Sequence, residues 1–260
     1  MRIGFIGAGK MALALMRAVR KAGAEVFAYD PNDSQRKKAK GIGVKVLSSN
    51  AEVVRKCDVI FIAVKPNTVP EVLDEIGSAS GKKLFVSIAA GVGIKKIEEK
   101  LSGARVIRMM PNLNAMVGEM ACAYSLGSKA KKKDGKILEG LLKNAGILVR
   151  VREDKLDVIT ALSGCGPAYF VLFIKELANA AGRRGLSKRL ALRLAAQTAL
   201  GSGKVILGGY EPDEVIKMVA TPGGATERAL QVFEENKFRE IIEKAVEAAL
   251  RRAEELRENF

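Results

Sequence analysis

Residues 221–226 read TPGGAT, a composition suited to binding a small anion. Two consecutive glycines let the backbone approach a ligand closely. A helical pattern begins near Ala225, so unpaired N–H groups would stand at a helix N-terminus and could hold a carboxylate without a charged side chain. We predict that Gly224, Ala225 and Thr226 bind a substrate carboxylate, with a simple N-capping turn as the alternative.

A second glycine-rich string lies near the start of the chain, where residues 7–12 read GAGKMA. Gly7 allows a tight turn, Gly9 lets the backbone approach a pyrophosphate, and Ala12 permits close packing of a helix on a strand. An apolar run precedes the string and a helical pattern follows it, as dinucleotide binding requires. The string therefore predicts an NAD or NADP site, with a glycine-rich structural turn as the alternative.

The residues after the second apolar run give two opposing signals about the cofactor. Asp30 ends that run and could accept hydrogen bonds from the adenosine ribose, which favours NAD. Arg36, Lys37 and Lys38 follow and could attract the 2′-phosphate of NADP, or form an ordinary solvated helix face. We predict that both cofactors are used and leave the preference open.

Two more segments follow predicted strands, at the edge where open α/β sheets bind ligands. The string AVKP at residues 63–66 ends the fourth strand, and AAG at residues 89–91 follows the fifth. Lys65 stands between a buried strand and Pro66, which favours a place in the cofactor crevice over an ordinary surface position.

The first part of the chain alternates short apolar runs with helical patterns. Runs rich in Val, Ile and Phe indicate strands buried on both faces, at residues 2–6, 25–29, 44–46, 59–64 and 84–87. Three further segments, at residues 105–109, 120–126 and 147–151, are expected to extend the same sheet. Helical segments lie between these strands near residues 10–22, 33–40, 51–57, 69–77 and 94–101. This alternation predicts an α/β fold with an N-terminal Rossmann-type, doubly wound, mostly parallel sheet.

After residue 152 the strand signals disappear. Helices are predicted near residues 153–163, 167–184, 187–207, 212–219, 225–235 and 237–258. We therefore divide the chain into a dinucleotide-binding domain, residues 1–152, and an all-helical substrate-binding and dimerisation domain, residues 153–260. Two of the predicted helices are apolar on nearly every side, more than so small a domain can bury alone. A homodimer or higher homo-oligomer through the C-terminal helices is expected.

The composition excludes several classes of site. The chain has no histidine and three widely spaced cysteines, so His-based triads and His-ligated metals are excluded and no metal is expected. The net charge of +15 comes from residues 1–152, because acidic and basic residues balance in the remainder. These cations are dispersed without interleaved aromatic residues, which favours a solvated lysine surface over nucleic-acid binding.

The chain opens directly on a strand pattern, so no signal peptide is expected. The longest apolar stretch, residues 159–174, contains Gly164, Gly166 and Pro167, and we expect it to be too short and too broken for a membrane span. A cytoplasmic protein with reduced thiols and no membrane partner is predicted.

Four strings stand in order along the chain: AVKP at 63–66, MPN at 110–112, LSGCGPAY at 162–169 and TPGGAT at 221–226. Through them the chain resembles the pyrroline-5-carboxylate reductases over its whole length. The resemblance implies reduction of 1-pyrroline-5-carboxylate to L-proline, the last step of proline biosynthesis, by direct hydride transfer from NADPH or NADH to the C=N carbon. It also implies a dimer of interleaved C-terminal helical domains.

The resemblance assigns the site residues. It places along the cofactor Gly7, Ala8, Gly9, Lys10, Met11, Asp30, Asn50, Ala63, Val64, Lys65, Pro66, Ala89 and Ala90. It places at the substrate Gly224, Ala225, Thr226 and Glu153. Two positions depart from the family, because Lys10 stands where Asn or Gln is common and Cys165 where Ser is common. A thiol is a weak hydrogen-bond partner, so Cys165 changes the polar lining.

Thr226 is the candidate catalytic residue. A protonated imine is already electrophilic and the cofactor carries the difficult chemistry, so a chain without histidine can perform the reaction. The Thr226 hydroxyl would hydrogen-bond the ring nitrogen or relay a proton to it. The alternative is an ordinary first-turn residue of a helix.

Two other functions remain open. One is a related two-domain reductase that acts on another cyclic imine or a 3-hydroxy acid. Such hydroxy-acid enzymes use a catalytic lysine in a GxxxK-type string, and residues 182–185, which read GRRG, supply none. The other is a non-catalytic nucleotide sensor, which would not need Gly223, Gly224 or Thr226.

Overall fold

The computed structural model describes residues 1–258 and contains an eight-stranded sheet. The strands are β1 (Arg2–Ile6), β2 (Glu25–Tyr29), β3 (Lys45–Val46), β4 (Val59–Ile62), β5 (Leu84–Ser87), β6 (Arg105–Met110), β7 (Met120–Leu126) and β8 (Gly146–Arg150). Their order across the sheet is β3-β2-β1-β4-β5-β6-β7-β8. Every neighbouring pair is parallel except β6 with β7. The predicted mostly parallel, Rossmann-type sheet is confirmed.

Helices cover both faces of this sheet. They are α1 (Lys10–Lys21), α2 (Asp33–Gly41), α3 (Asn50–Lys56), α4 (Val69–Ile76), α5 (Ile94–Lys100) and α6 (Lys132–Leu142). One buried core joins apolar residues of α1 and α6 to one face, and a second core joins α3, α4 and α5 to the other. Strands buried on both faces explain the near-continuous apolar runs of the sequence. The carboxyl ends of the central strands are thereby fixed by two cores.

The chain continues in one helical path from Glu153 to Gly182. A 3₁₀ turn (Glu153–Lys155) leads into α7 (Leu156–Ile159), a π-helical turn (Thr160–Gly164) and α8 (Gly166–Gly182). The predicted break in this stretch is wrong, because the π turn accommodates the glycines. The Cys165 N–H donates to the Thr160 carbonyl, at 2.8 Å, and keeps the helix path intact.

By length and composition, the path Glu153–Gly182 is long and apolar enough to cross a membrane. The expectation that this stretch is too short and too broken to do so is therefore not supported. A single helix of this kind is weak evidence of a membrane span, since core helices of soluble proteins meet the same criterion.

Two compact units divide the chain. The first comprises residues 1–165 and the end of the chain from Ala249, and the second comprises residues 166–248. The remaining helices are α9 (Lys188–Leu207), α10 (Pro212–Val219), α11 (Ala225–Glu235) and α12 (Phe238–Glu258), so α12 begins in the second unit and ends in the first. The domain division after residue 152 stays a prediction.

The second unit buries few of its own apolar side chains. Phe173, Phe233 and Phe238 form a small aromatic cluster, with ring centroids 5.1 to 6.3 Å apart. Elsewhere large side chains are open to solvent, including Phe170 at 69% and Leu207 at 77% exposure. Exposed apolar surface on this scale marks an interaction site.

Candidate functional site

The loop between β1 and α1 has the geometry that a dinucleotide requires. Gly7 has a φ of 95°, in the left-handed region, and its N–H donates to the Tyr29 carbonyl at 2.8 Å. A Cβ at Gly7 would lie 2.7 Å from the Ala63 carbonyl oxygen. Only glycine therefore lets this turn pass so close to the end of β4.

Gly9 stands at the N-cap of α1 and faces open space. A Cβ there would meet no atom within 4 Å, and no side chain caps the helix. The N–H groups of Lys10 and Met11 follow at the helix N-terminus, where a positive dipole end favours a phosphate. Ala12 is buried and packs against the sheet. The residues of this loop fit a pyrophosphate.

Asp30 is held in place by two backbone N–H groups. Its Oδ2 accepts from Ala8 and its Oδ1 accepts from Asn32, at 2.8 and 2.9 Å. The carboxylate thereby links the end of β2 to the glycine-rich loop. Each oxygen keeps a lone pair for a ribose hydroxyl.

Arg36 is engaged with the backbone of the same loop. Its Nη1 donates to the carbonyl oxygens of Asp30 and Pro31, at 2.8 and 2.7 Å, and its Nη2 pairs with Asp33. Lys37 also pairs with Asp33, at 2.9 Å. Two of the three cations proposed for a 2′-phosphate thus already have partners.

Asn50 and the AVKP segment lie at the carboxyl side of the same sheet. Asn50 is buried at the start of α3, and its Nδ2 donates to Glu75 Oε2 at 2.6 Å. Ala63 and Val64 are half-buried after β4. Lys65 is exposed, and Pro66 opens a 3₁₀ turn. These placements are compatible with the predicted cofactor contacts.

Ala89 and Ala90 follow β5, and Glu153 stabilises the segment beyond them. Glu153 Oε1 accepts from the backbone N–H of Ile94, the first residue of α5, at 2.8 Å. The same oxygen lies 3.2 Å from Arg108 Nη1. Glu153, predicted at the substrate, therefore also holds the helix that follows the Ala89–Ala90 loop.

Arg108 is a site-supporting residue that the sequence patterns missed. It lies in β6 with 1% of its side chain exposed, between Glu153 and Asp157. Arg257 Nη1, at the end of α12, lies 2.7 Å from Asp157 Oδ2 in an ion pair without hydrogen-bond geometry. The sequence signal is an arginine in the middle of an apolar run, since buried arginines require partners.

The TPGGAT segment forms a tight turn before α11. Gly223 has a φ of 68°, and a Cβ at Gly224 would lie 2.5 Å from Thr221 Oγ1. The Gly224 N–H donates to the Thr221 carbonyl at 2.9 Å, so the expectation that this N–H is free is wrong. The turn itself consumes that donor.

The next N–H groups remain available. No side chain caps α11, and no hydrogen bond pairs the N–H groups of Ala225 and Thr226 within residues 1–258. Thr226 is half-buried. Glu227 Oε2 accepts from the Gly223 N–H at 2.8 Å and fixes the turn. Ala225 and Thr226 thus present two donors at a helix N-terminus.

Burial changes the proton affinity of three side chains in the first unit. It raises the pKa of the Cys57 and Cys122 thiols to about 12. Burial, and then the hydrogen bond to Glu139, raise the pKa of Tyr124 to about 12. These groups are neutral core residues. Among residues 1–258, no cluster of three acidic or cysteine side chains could hold a metal ion.

Comparison with known proteins covers both parts of the chain. Residues 2–91 match the family described as NADP oxidoreductase, coenzyme F420-dependent, and residues 153–256 match that described as pyrroline-5-carboxylate reductase dimerisation. The chain is 41% identical to pyrroline-5-carboxylate reductase 2 of Bos taurus, across 98% of this chain and 84% of that protein. It is 38% identical to pyrroline-5-carboxylate reductase of Arabidopsis thaliana, across 98% and 95% of the two chains.

A solved structure agrees with these relatives. The crystal structure of Plasmodium falciparum pyrroline carboxylate reductase with NADP bound aligns with a TM-score of 0.89 and 32% identity. The alignment covers 99% of this chain and 98% of that one.

Proposed function

Because this chain belongs to the pyrroline-5-carboxylate reductase family, we propose that it reduces 1-pyrroline-5-carboxylate to L-proline with NADPH or NADH, the last step of proline biosynthesis. The observation that carries this proposal is near-full-length similarity to named reductases. In the reaction a C–H bond forms at the imine carbon, and the C=N π electrons pass to the ring nitrogen. The protonated ring nitrogen thereby becomes a neutral amine, and one further proton from solvent gives the zwitterionic L-proline.

Residues of the first unit are proposed to bind the cofactor. When bound, NADH or NADPH supplies the hydride. The open approach at Gly9 and the uncapped N-terminus of α1 support pyrophosphate binding. Asp30 stands where it can accept from the adenosine ribose. The remaining assignments, which rest on the resemblance and on their placement near the carboxyl ends of the strands, are Gly7, Ala8, Lys10, Met11, Asn50, Ala63, Val64, Lys65, Pro66, Ala89 and Ala90.

Residues of the second unit are proposed to bind the substrate carboxylate. The unpaired N–H groups of Ala225 and Thr226 at the start of α11 supply two donors and a positive dipole end. Gly224 contributes the close turn rather than a donor. No hydrogen bond joins the Thr226 hydroxyl to another residue described in the structure, so it is free to contact the ring nitrogen.

Thr226 is proposed to orient the imine. Its hydroxyl hydrogen-bonds the ring nitrogen or relays a proton to it, while the backbone donors hold the carboxylate. Two anchors on a small rigid ring restrict its orientation, which lowers the entropic part of the barrier. Glu153 is retained as a substrate residue by resemblance, and its contact with Ile94 gives it a second, structural role.

A homo-oligomer is proposed through the C-terminal helices. The match of residues 153–256 to a dimerisation family supports it, as does the exposed apolar surface of residues 166–248. We further propose a cytoplasmic location. The cysteines Cys57, Cys122 and Cys165 are unpaired, as expected in a reducing compartment.

Comparison of two substrates tests the proposal. Steady-state kinetics with 1-pyrroline-5-carboxylate and with 1-pyrroline, which lacks the carboxylate, should show kcat/KM at least about a hundredfold higher for the first, or ~2.7 kcal/mol. Equal kcat/KM values for the two imines would show that the N-terminus of α11 does not bind the carboxylate. Absence of reduction of either imine would contradict the proposed activity.

A further inference from the structure

The end of the last helix lies directly against the loop that follows β5. Gly91 has a φ of 76° and is buried. A Cβ at this position would lie 2.8 Å from the Leu256 carbonyl oxygen and 3.3 Å from the Arg257 backbone nitrogen. No side chain fits between the loop and the last turn of α12, so the two backbones are in direct contact.

A network of four ion-paired side chains, in which Arg108 and Asp157 are buried and Glu153 and Arg257 are partly exposed, connects the same helix turn to the far end of the loop. Arg257 pairs with Asp157 at 2.7 Å, Asp157 pairs with Arg108 at 3.4 Å, and Arg108 pairs with Glu153 at 3.2 Å. Glu153 then accepts from the Ile94 N–H at 2.8 Å. Ile94 stands three positions after Gly91. The loop is therefore held at Gly91 by backbone contact and at Ile94 by a carboxylate that the ion network orients.

The balance of charge makes this network depend on Arg257. Asp157 is buried, and Arg108 is almost fully buried with its Nε unpaired. Two cations and two carboxylates sum to zero net charge. Removal of Arg257 leaves two carboxylates to one guanidinium, and an uncompensated buried charge is strongly unfavourable. The three remaining charged side chains would then rearrange. Glu153 can move most easily among them, because 35% of its side chain is exposed.

We infer that the last turn of α12 positions the Ala89–Ala90–Gly91 loop for the nicotinamide half of the cofactor, with Arg257 as the positioning residue. The inference rests on the proposed function and on the family resemblance, which implies that Ala89 and Ala90 approach the ribose and nicotinamide of the cofactor. Arg257 touches neither cofactor nor substrate in this account. It acts through Asp157, Arg108 and Glu153 on the N-terminus of α5.

Binding of a whole cofactor and of its adenine half tests the inference. Calorimetry measures the Kd of NADH and of ADP, which lacks the nicotinamide, for the full chain and for Arg257→Ala. The Kd of NADH should rise at least about tenfold and that of ADP less than about twofold. Arg257→Lys should recover most of the affinity. Arg252→Ala, on the same helix in an exposed pair with Glu255, should change neither Kd.

Glycine substitutions give a second test that replaces no charged residue. Gly91→Ala and Gly23→Ala introduce the same left-handed strain, since the φ of Gly23 is 86°, but a Cβ at Gly23 meets no atom within 4 Å. Only Gly91→Ala should raise the Kd of NADH while leaving the Kd of ADP unchanged. An unchanged NADH Kd in both Arg257→Ala and Gly91→Ala, or equal loss of NADH and ADP, would overturn the inference.

Failure of the proposed activity and failure of the loop-positioning role of Arg257 give different results. If the unaltered enzyme binds NADH but does not reduce 1-pyrroline-5-carboxylate, the proposed activity fails, and the positioning of the loop is still decided by the two Kd values.

Discussion

Asn112 Nδ2 lies 2.9 Å from the Ser163 carbonyl oxygen and donates a hydrogen bond to it. In a regular helix that carbonyl would accept from the residue four positions later, which is Pro167 and has no N–H. The Asn112 side chain supplies the missing donor, while its Oδ1 accepts from the Ala121 N–H at 3.3 Å. The MPN string therefore completes the hydrogen bonds of the LSGCGPAY string.

Loss of this donor should destabilise the first unit. Asn112→Ala leaves the Ser163 carbonyl and the Ala121 N–H unpaired, which costs about 1–3 kcal/mol of unfolding free energy. Urea denaturation measures the change, and Asn114→Ala, at an exposed neighbouring position, serves as control.

A second substitution tests whether Asn112 stabilises the fold by replacing the N–H that Pro167 lacks. Pro167→Ala restores a backbone N–H four residues after Ser163, so Asn112→Ala should cost about 1 kcal/mol less in that background. Strictly additive effects of the two substitutions would contradict this account of the π turn.

Removal of the Thr226 hydroxyl should slow the reaction. Thr226→Ala should lower kcat/KM for 1-pyrroline-5-carboxylate by about ten- to a thousandfold, or ~1.4–4 kcal/mol, because the ring nitrogen loses its partner. Thr226→Ser keeps the hydroxyl and should retain most activity. Thr198→Ala, whose hydroxyl bonds its own helix at Leu194, controls for the loss of a helical threonine. Unchanged kinetics would remove Thr226 from the mechanism.

The charge of Asp30 should set the cofactor ratio. A carboxylate fixed by Ala8 and Asn32 repels a 2′-phosphate, and Arg36 is engaged with backbone carbonyls. Asp30→Asn keeps an acceptor but removes the charge. It should shift the ratio of kcat/KM values toward NADPH by about ten- to a hundredfold.

The matched control for this charge is Asp58→Asn, at the amino end of β4, where a carboxylate accepts from the Arg2 N–H. It should leave the cofactor ratio unchanged. A ratio that Asp30→Asn does not move would show that Asp30 takes no part in cofactor choice.

Stability should fall in alkaline solution. Burial raises the pKa of Cys57 and Cys122 from 9.0, and that of Tyr124 from 10.0, to about 12. The folded state then holds protons that the unfolded chain releases, so the contribution is fully present below pH 9 and is lost as the pH rises toward 12. Between its unfolded-state and folded-state pKa, each group lowers the free energy of unfolding by about 1.4 kcal/mol per pH unit.

Urea unfolding at pH 8, 9.5 and 11 measures this slope. Cys57→Ala and Tyr124→Phe should each make it shallower. An unfolding free energy that stays constant over this range would be inconsistent with neutral, buried thiols.

Much of the first unit could be predicted because its strands are buried on both faces. Four runs rich in Val, Ile and Phe reveal β1, β2, β4 and β5 almost to the residue, and GAGKMA marks the turn into α1. The helical path through residues 160–167 could not be predicted, because glycine and proline ordinarily interrupt a helix. Asn112, which donates a hydrogen bond to the Ser163 carbonyl in this path, lies about fifty residues away in sequence. Only the fold brings the two residues together.

The ion pairs that join Arg108, Asp157 and Arg257 could not be predicted either. Arg108, Asp157 and Arg257 lie on β6, α7 and α12, with no sequence spacing that links them. A helix start at TPGGAT predicts a free Gly224 N–H, whereas the turn before α11 pairs that donor with the Thr221 carbonyl.

The most direct test of the central claim is the oxidation of NADH and NADPH at 340 nm by the purified protein with 1-pyrroline-5-carboxylate, with the product identified by chiral chromatography. The account predicts cofactor-dependent turnover with formation of one L-proline for each cofactor oxidised. Cofactor binding without turnover, or a product other than L-proline, would contradict it.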